Sequence, residues 1–435
     1  MLIGVFFLLF LVMLVIGVPL AVIFGGMSFF PSLINPSFAY NCQAAIKSMF
    51  GGLDSFTLLA VPLFMLAGLI MAEGGISEKL FNFFAYFIGN KRAGFPCAVI
   101  ITCMFYAAIS GSSPATVSAV GAMTIPFLVK MGYDKVFAVA IVTVAGGLGV
   151  IIPPSISYIV FSSITSVSPS SLFIGGIIPG ILIGGMLMAY AMIYCWKHGE
   201  DREVLMAHYQ AIRAKGFWRT LKESLLALLM PIIILGSIYG GIVSPTEAAV
   251  ISVVYSLAVC IFSYRTLAWK DLGRVFKKGA DTYVGILFII AAATAFARCI
   301  TLLRYPQTIS ASILAAVSNK YAVLLIMNLI MLACGTLIDN IPNIMILSPI
   351  LLPISAAIGV DPVHFGIIMT VNLAIGMVTP PMGINLFVAS SMTKIPIFKL
   401  AKATVPFLIA FLFALMLITF IPNISLLLLT LRGNF

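Results

Sequence analysis

Apolar runs of span length recur along the chain, separated by short polar stretches that carry most of its charge. A membrane crossing takes about 20 apolar residues, so the pattern predicts an all-α polytopic membrane protein with roughly ten full crossings and some partial ones. Leu2 to Phe24 reads as a first span, uncleaved because it lacks a basic leader and a small-residue cleavage site. A turn-rich stretch with Pro31, Asn35-Pro36 and Asn41 leads to a second span, Phe56 to Met71, ended by Glu73-Gly74-Gly75. Ser77 to Arg92 sets Lys79, Lys91 and Arg92 among Leu80, Phe81, Phe84 and Phe87, the pattern of an interfacial amphipathic helix.

Phe95 to Ile109 is short for a span, and the polar Ser110-Gly111-Ser112-Ser113-Pro114 separates it from an apolar run reaching Val129. This predicts a helical hairpin that returns to its own side, with Ser113 capping a helix that begins at Pro114. Leu172 to Tyr194 is a further span, and Leu225 to Gly241 pairs with Ala248 to Ser263. The link Ser244-Pro245-Thr246-Glu247 has capping-box spacing, which makes Glu247 structural. Tyr283 to Ala297 crosses next, and Arg304 to Asn319 is a second interfacial candidate. Tyr321 to Ile338 and Ile344 to Ile358 form a second hairpin, tipped by Asp339-Asn340-Ile341-Pro342, and a last span runs from Val405 toward Leu429.

Two helices are broken in matching ways. Pro153 and Pro154 remove the N–H partners of the Gly149 and Val150 carbonyls, and Pro380 and Pro381 do the same to Gly376 and Met377. Irregular backbone at membrane depth persists only where protein or a polar cavity satisfies it. The breaks belong to an internal repeat with an offset of 227. Pro126, Gly132, Asp134, Gly149, Pro153, Pro154 and Pro179 fall on Pro353, Gly359, Asp361, Gly376, Pro380, Pro381 and Pro406. Charge bias places the ends of the first hairpin in the cytoplasm and those of the second outside, so the copies are expected to be inverted. The expected division is scaffold 1–94, transport elements 95–171, scaffold 172–320, transport elements 321–393 and a terminal scaffold helix 394–435.

Composition narrows the function. The chain of 435 residues is 62% hydrophobic and 9% charged, with mean hydropathy +1.18. Its net charge of +11 sits in loops without aromatic interleaving, which fits positive-inside topology and not nucleic-acid binding. Seven scattered cysteines form no C-x-x-C pair and read as buried small hydrophobes. There is no phosphate-binding loop for ATP, no H-E-x-x-H motif and no paired-acid motif. Asp339 and Arg298 are charged near membrane depth, where such residues are functional or snorkel to the interface.

The breaks suit a hard cation, because sodium takes oxygen ligands that include backbone carbonyls. Gly149 and Gly376 supply carbonyls at the partially negative ends of half-helices. Opposite them the hairpin tips add Ser110, Ser112, Ser113 and Thr116, then Thr336, Asp339, Asn340 and Asn343. Half-helix N-termini suit a carboxylate, and the candidate substrate residues are Ser113, Thr116, Asn343 and Asn385.

Taken together, Gly111-Ser112-Ser113-Pro114-Ala115-Thr116, Gly149-Val150-Ile151-Ile152-Pro153-Pro154-Ser155, the run from Gly241 to Ala249, and Met377-Val378-Thr379-Pro380-Pro381 resemble the large membrane subunit of a tripartite ATP-independent periplasmic (TRAP) transporter. The resemblance covers nearly the whole chain. It implies import of an organic acid across the bacterial inner membrane, coupled to two or more sodium ions (Na+), by an elevator-type movement. It also implies one sodium site at Ser110, Ser112, Gly149, Ile152 and Pro154, and a second at Gly335, Asn340, Gly376, Thr379 and Met382. The implied partners are the lipid bilayer, a periplasmic substrate-binding protein (P subunit) and a small membrane subunit (Q subunit) on a separate chain. Relatives handle dicarboxylates, keto acids, sugar acids and sialic acids, and the sequence does not rank these. The rival readings are a self-sufficient sodium- or proton-coupled anion carrier or exchanger of the same architecture, a membrane enzyme, and a passive channel.

Overall fold

Two helices, α1 (Leu2–Val15) and α2 (Leu20–Ile34), replace the single first span expected over Leu2 to Phe24. Gly17 lies at φ +85° and Pro19 stands just before α2, so the chain turns there and starts a new helix. Pro31 lies inside α2, and the stretch expected to be only turns also holds α3 (Cys42–Leu53), capped by Asn41, whose side chain accepts from Ala44 N at 2.9 Å. The computed structural model describes residues 2–35, 38, 40–317 and 319–433.

One 3-10 turn leads into α4 (Ala60–Glu73), which ends at the predicted Gly74-Gly75. Next comes α5 (Ile76–Ile88), which buries Ile76, Leu80, Phe81 and Ala85. The first hairpin is α6 (Gly94–Ser110) and α7 (Ser113–Lys130). Ser112, not Ser113, takes the cap position of α7, so Ser113 and Pro114 are its first two residues. Proline fits the second position as well as the first, because none of the first N–H groups has an intrahelical partner. The first broken helix is α8 (Lys135–Ala145), a 3-10 turn over Gly146–Val150, and α9 (Ile156–Thr165).

The middle of the chain forms α10 (Pro169–His198), α11 (Arg202–Ala214), α12 (Phe217–Tyr239), α13 (Pro245–Ala258) and α14 (Leu272–Leu302). At the start of α13, Ser244 N donates to Glu247 at 2.7 Å and Glu247 N to Ser244 Oγ at 3.3 Å, so the expected capping box forms. Then follow α15 (Tyr305–Ala316), the second hairpin α16 (Lys320–Leu337) and α17 (Asn340–Ala357), and the second broken helix α18 (Pro362–Gly376) and α19 (Ile384–Thr393). The last expected span is two helices, α20 (Ile397–Phe420) and α21 (Asn423–Leu431), separated at Pro422, which cannot donate into a continuous ladder.

Among the described residues, eight helical segments are long and apolar enough to cross a membrane. The shortfall against the expected ten arises because the first span is split into helices of 14 and 15 residues and the broken helices are divided into pieces of 10 to 15 residues. Such a piece is about 15–22 Å long, short of the ~30 Å hydrocarbon layer.

The repeat extends to whole elements. Adding 227 to the bounds of α7, 113 and 130, gives 340 and 357, the bounds of α17, and 135 at the start of α8 gives 362 at the start of α18. Asp134 and Asp361 cap these helices through their side chains, and Pro153-Pro154 and Pro380-Pro381 are both cis. In one body α4 packs on α13 and α14, and α14 packs on α2 and α3. In the other, the broken helices pack with the hairpins. Two helices that the sequence reading placed with the scaffold, α10 and α20, pack on this second body: α10 on α6 and α18, and α20 on α8 and α18.

Candidate functional site

The first hairpin turns at Gly111, whose φ of +60° is left-handed. A Cβ there would lie 2.7 Å from the Pro154 carbonyl oxygen, so conformation and space both call for glycine. Ile156 N donates to Gly111 O at 3.3 Å, joining the tip to the far half of the broken helix. Ser110 Oγ lies 3.1 Å from Thr116 Oγ1, which donates to Ser112 O at 2.9 Å. Gly149 backs onto this cluster, where a Cβ would meet Ser112 O at 2.5 Å and Thr116 Oγ1 at 2.7 Å. Ser110, Ser112, Gly149 and Pro154 are thus brought together, with Ile152 in the loop beside them.

The second hairpin meets its broken helix in a similar way. A Cβ on Gly376 would lie 2.5 Å from the Gly335 carbonyl carbon. Met382 N donates to Thr336 O at 2.9 Å, which joins this hairpin to the loop after its break. Asn343 Nδ2 donates to Ile338 O at 2.8 Å and Cys334 O at 3.1 Å, which closes the tip. Thr379 Oγ1 donates to Ile375 O at 2.8 Å, which leaves its lone pairs free.

The freed carbonyls differ from the sequence expectation. Ser155 Oγ donates to Val150 O at 2.5 Å, Asn385 N to Met377 O at 3.0 Å and Thr379 N to Gly376 O at 3.0 Å. Among the described residues no hydrogen bond reaches the carbonyls of Gly149, Ile152, Pro154, Gly335 or Met382. Asn340 Oδ1 is buried and also without a partner. Open oxygens therefore collect at both breaks, which is the donor set a hard cation needs.

A cavity of 370 Å³ lies between the two bodies. Its walls include Ser110, Ser112 and Ser118 of the first hairpin, Asp339 and Asn340 of the second, and Gly68, Gly279 and Thr282 of α4 and α14. No lysine, arginine or histidine is among the described residues lining it. Of the candidate substrate residues, Ser113, Thr116, Asn343 and Asn385 do not line this cavity and sit one layer behind it. Asn385 Nδ2 lies 2.7 Å from Ser113 Oγ and 3.1 Å from the Thr143 carbonyl. Arg298 is exposed on α14 and is also absent from the lining.

Sequence reasoning missed Ser157 and Thr282. Ser157 lines the cavity and accepts a 2.7 Å hydrogen bond from Asn340 Nδ2. The repeat points near it, because the offset of 227 carries Ser157 to Ile384, the neighbour of the candidate Asn385. Thr282 carries no motif, and only the packing of α14 brings it to the wall.

The chain is 42% identical over 415 residues to the isethionate TRAP transporter permease protein DctMQ of Oleidesulfovibrio alaskensis, covering 95% of this chain and 64% of that relative. It is 39% identical to the C4-dicarboxylate TRAP transporter large permease protein DctM of Pseudomonas aeruginosa, covering 88% of each. The crystal structure of the YdaH transporter of Alcanivorax borkumensis matches 95% of this chain and 97% of that one, with TM-score 0.61 at 15% identity, a likeness of fold. The family model for the DctM component of the tripartite ATP-independent periplasmic transporters matches residues 7–424. This chain belongs to that family of multi-pass inner-membrane transporters, not to an enzyme family.

Proposed function

We propose that the chain imports a small organic acid together with sodium, holding one ion between each hairpin tip and its broken helix. The observation that carries this reading is the set of open carbonyls at Gly149, Ile152, Pro154, Gly335 and Met382 beside the partnerless Asn340 Oδ1. Open oxygen ligands at two matching breaks favour a hard cation, and no cluster of three or more His, Cys, Asp or Glu suited to a transition metal occurs among the described residues. Ser110 and Ser112 join the first site, and Gly376 and Thr379 join the second.

The acid occupies the cavity between the bodies. In the absence of a lining cation, its charge is met by hydroxyls, by the N-terminal end of α9 at Ser157 and by the bound sodium ions. Relatives named for isethionate and C4-dicarboxylate are consistent with a small anion. The body of hairpins and broken helices, with α10 and α20, slides against α4 and α14 to present the cavity to each side in turn. A periplasmic binding protein delivers the acid, and a small membrane subunit completes the system.

The test is uptake into proteoliposomes holding this chain and the small subunit, with a binding protein and radiolabelled isethionate, succinate or sialic acid. Accumulation is expected only with both an inward sodium gradient and the binding protein. Uptake indifferent to the binding protein would favour a self-sufficient carrier. Uptake indifferent to sodium would remove both ion sites.

A further inference from the structure

One wall of the cavity is shared with a second space. Ala72 on α4 and Gly279 on α14 line the cavity, and the residue next to each, Glu73 and Lys278, forms a 2.8 Å ion pair. Arg274 approaches the other Glu73 oxygen at 3.6 Å and Asp271 at 3.8 Å. Beyond them an open groove runs along the first three turns of α14, lined by Gly273, Arg274, Lys277, Lys278, Asp281 and Thr282. Thr282 lines both groove and cavity, so the two meet at its side chain.

The two spaces differ in charge. The cavity holds Asp339 and no cation, whereas three cations and one carboxylate line the groove. Glu73 engages Lys278 and Arg274, and Lys277 makes no ion pair among the described residues. Glu73, Asp271 and Asp281 offset much of this charge, so Lys277, the cation without an ion-pair partner among the described residues, is what an anion leaving the cavity along α14 meets. All three cations are exposed and hydrated, so screening confines their pull to about 8 Å at physiological salt. Exposed charges of this kind alter rates of encounter more than affinity.

We propose that this groove is an anion-receiving subsite for the organic acid. Lys277, Lys278 and Arg274 draw the acid out of the cavity, and Glu73 competes for two of the three so that it is released and not retained. The proposal rests on the cavity being the organic-acid site. It concerns this chain's own charges, so it is measurable without transport.

The experiment places Thr282→Cys in the full chain in proteoliposomes. Modification of residue 282 by anionic and cationic methanethiosulfonates of similar size is followed by peptide mass, with each rate divided by that for a free thiol. The anionic reagent is expected to be favoured on the order of tenfold. Lys277→Gln with Lys278→Gln should abolish the preference, the corresponding arginine pair should retain it, and Glu73→Gln should enlarge it. An anion preference untouched by the glutamine pair, or absent from the start, overturns the proposal. The readout needs neither sodium nor a binding protein, so a failed uptake assay and a failed labelling assay are separate results.

Discussion

Asn340 and Ser157 are hydrogen-bonded at 2.7 Å across 183 positions of sequence, and Asn385 and Ser113 repeat the contact at 2.7 Å across 272. Asn340 and Ser113 open the outgoing helices of the two hairpins, while Ser157 and Asn385 open the far halves of the two broken helices. Each hairpin thus holds the broken helix of the other copy. Reciprocal contacts of this kind are what a two-fold axis produces.

The first prediction follows from that exchange. Asn340→Ala removes a buried bond worth about 1 kcal/mol and leaves the Ser157 hydroxyl to find another partner. A double-mutant cycle of Asn340→Ala and Ser157→Ala, read by thermal unfolding in detergent, should show coupling of about 0.5–3 kcal/mol. The Asn385→Ala and Ser113→Ala cycle should behave alike. Strict additivity in both cycles would mean that the hairpins are not held in this way.

Glycine at the breaks is a requirement of space. Gly376→Ala drives a Cβ to 2.5 Å from the Gly335 carbonyl carbon, and Gly149→Ala drives one to 2.5 Å from Ser112 O. Both neighbours are backbone and cannot rotate away, so overpacking should cost about 1–3 kcal/mol. Sodium-dependent uptake should fall at least tenfold in each variant. Gly185→Ala, which meets nothing within 4 Å, serves as the control and should transport normally.

Sodium itself should stabilise the fold. An ion at a hundred times its dissociation constant adds about 2.7 kcal/mol per site by mass action. The melting temperature of the purified chain should therefore rise when choline is replaced by sodium. Ser110→Ala should remove part of that shift through the first site, and Thr379→Val should remove part through the second. An equal rise in all three proteins would place the bound sodium elsewhere.

Much of this arrangement is legible in the sequence because prolines and glycines fix backbone geometry locally. The 227-residue offset seen at Pro126, Gly149 and Pro153 reappears as coincident bounds of α7 and α17. The split first and last spans were missed because mean hydropathy does not register one turn at Gly17-Pro19 or at Pro422. Which carbonyls stay open was legible only in part. The partners of Val150 and Met377, Ser155 and Asn385, follow from how the loop after each break folds back, which spacing does not encode. Thr282 and the pairing of Ser157 with Asn340 depend on packing between distant helices, and a single chain read in order gives no signal for that.

The last prediction concerns movement of the hairpin body against α4. Tyr106 OH donates to Gly68 O at 2.9 Å across that boundary, and a Cβ on Gly68 would lie 2.9 Å from Ser110 Cα. Hairpin and α4 are thus in backbone contact at the cavity wall, and sliding has to break the bond. Tyr106→Phe removes about 1 kcal/mol from this arrangement alone, a population shift of about fivefold. It leaves no stranded acceptor, because the Gly68 carbonyl keeps its place in the α4 ladder. Gly68→Ala should disfavour the same arrangement more strongly, since the Ser110 backbone cannot yield. Labelling of Ser118→Cys by a membrane-impermeant reagent, applied from the side of the α14 groove, should slow with Tyr106→Phe, by at most about fivefold, and further with Gly68→Ala. Unchanged labelling in both variants would make the α4 contact fixed packing, and the sliding mechanism would then lose its boundary.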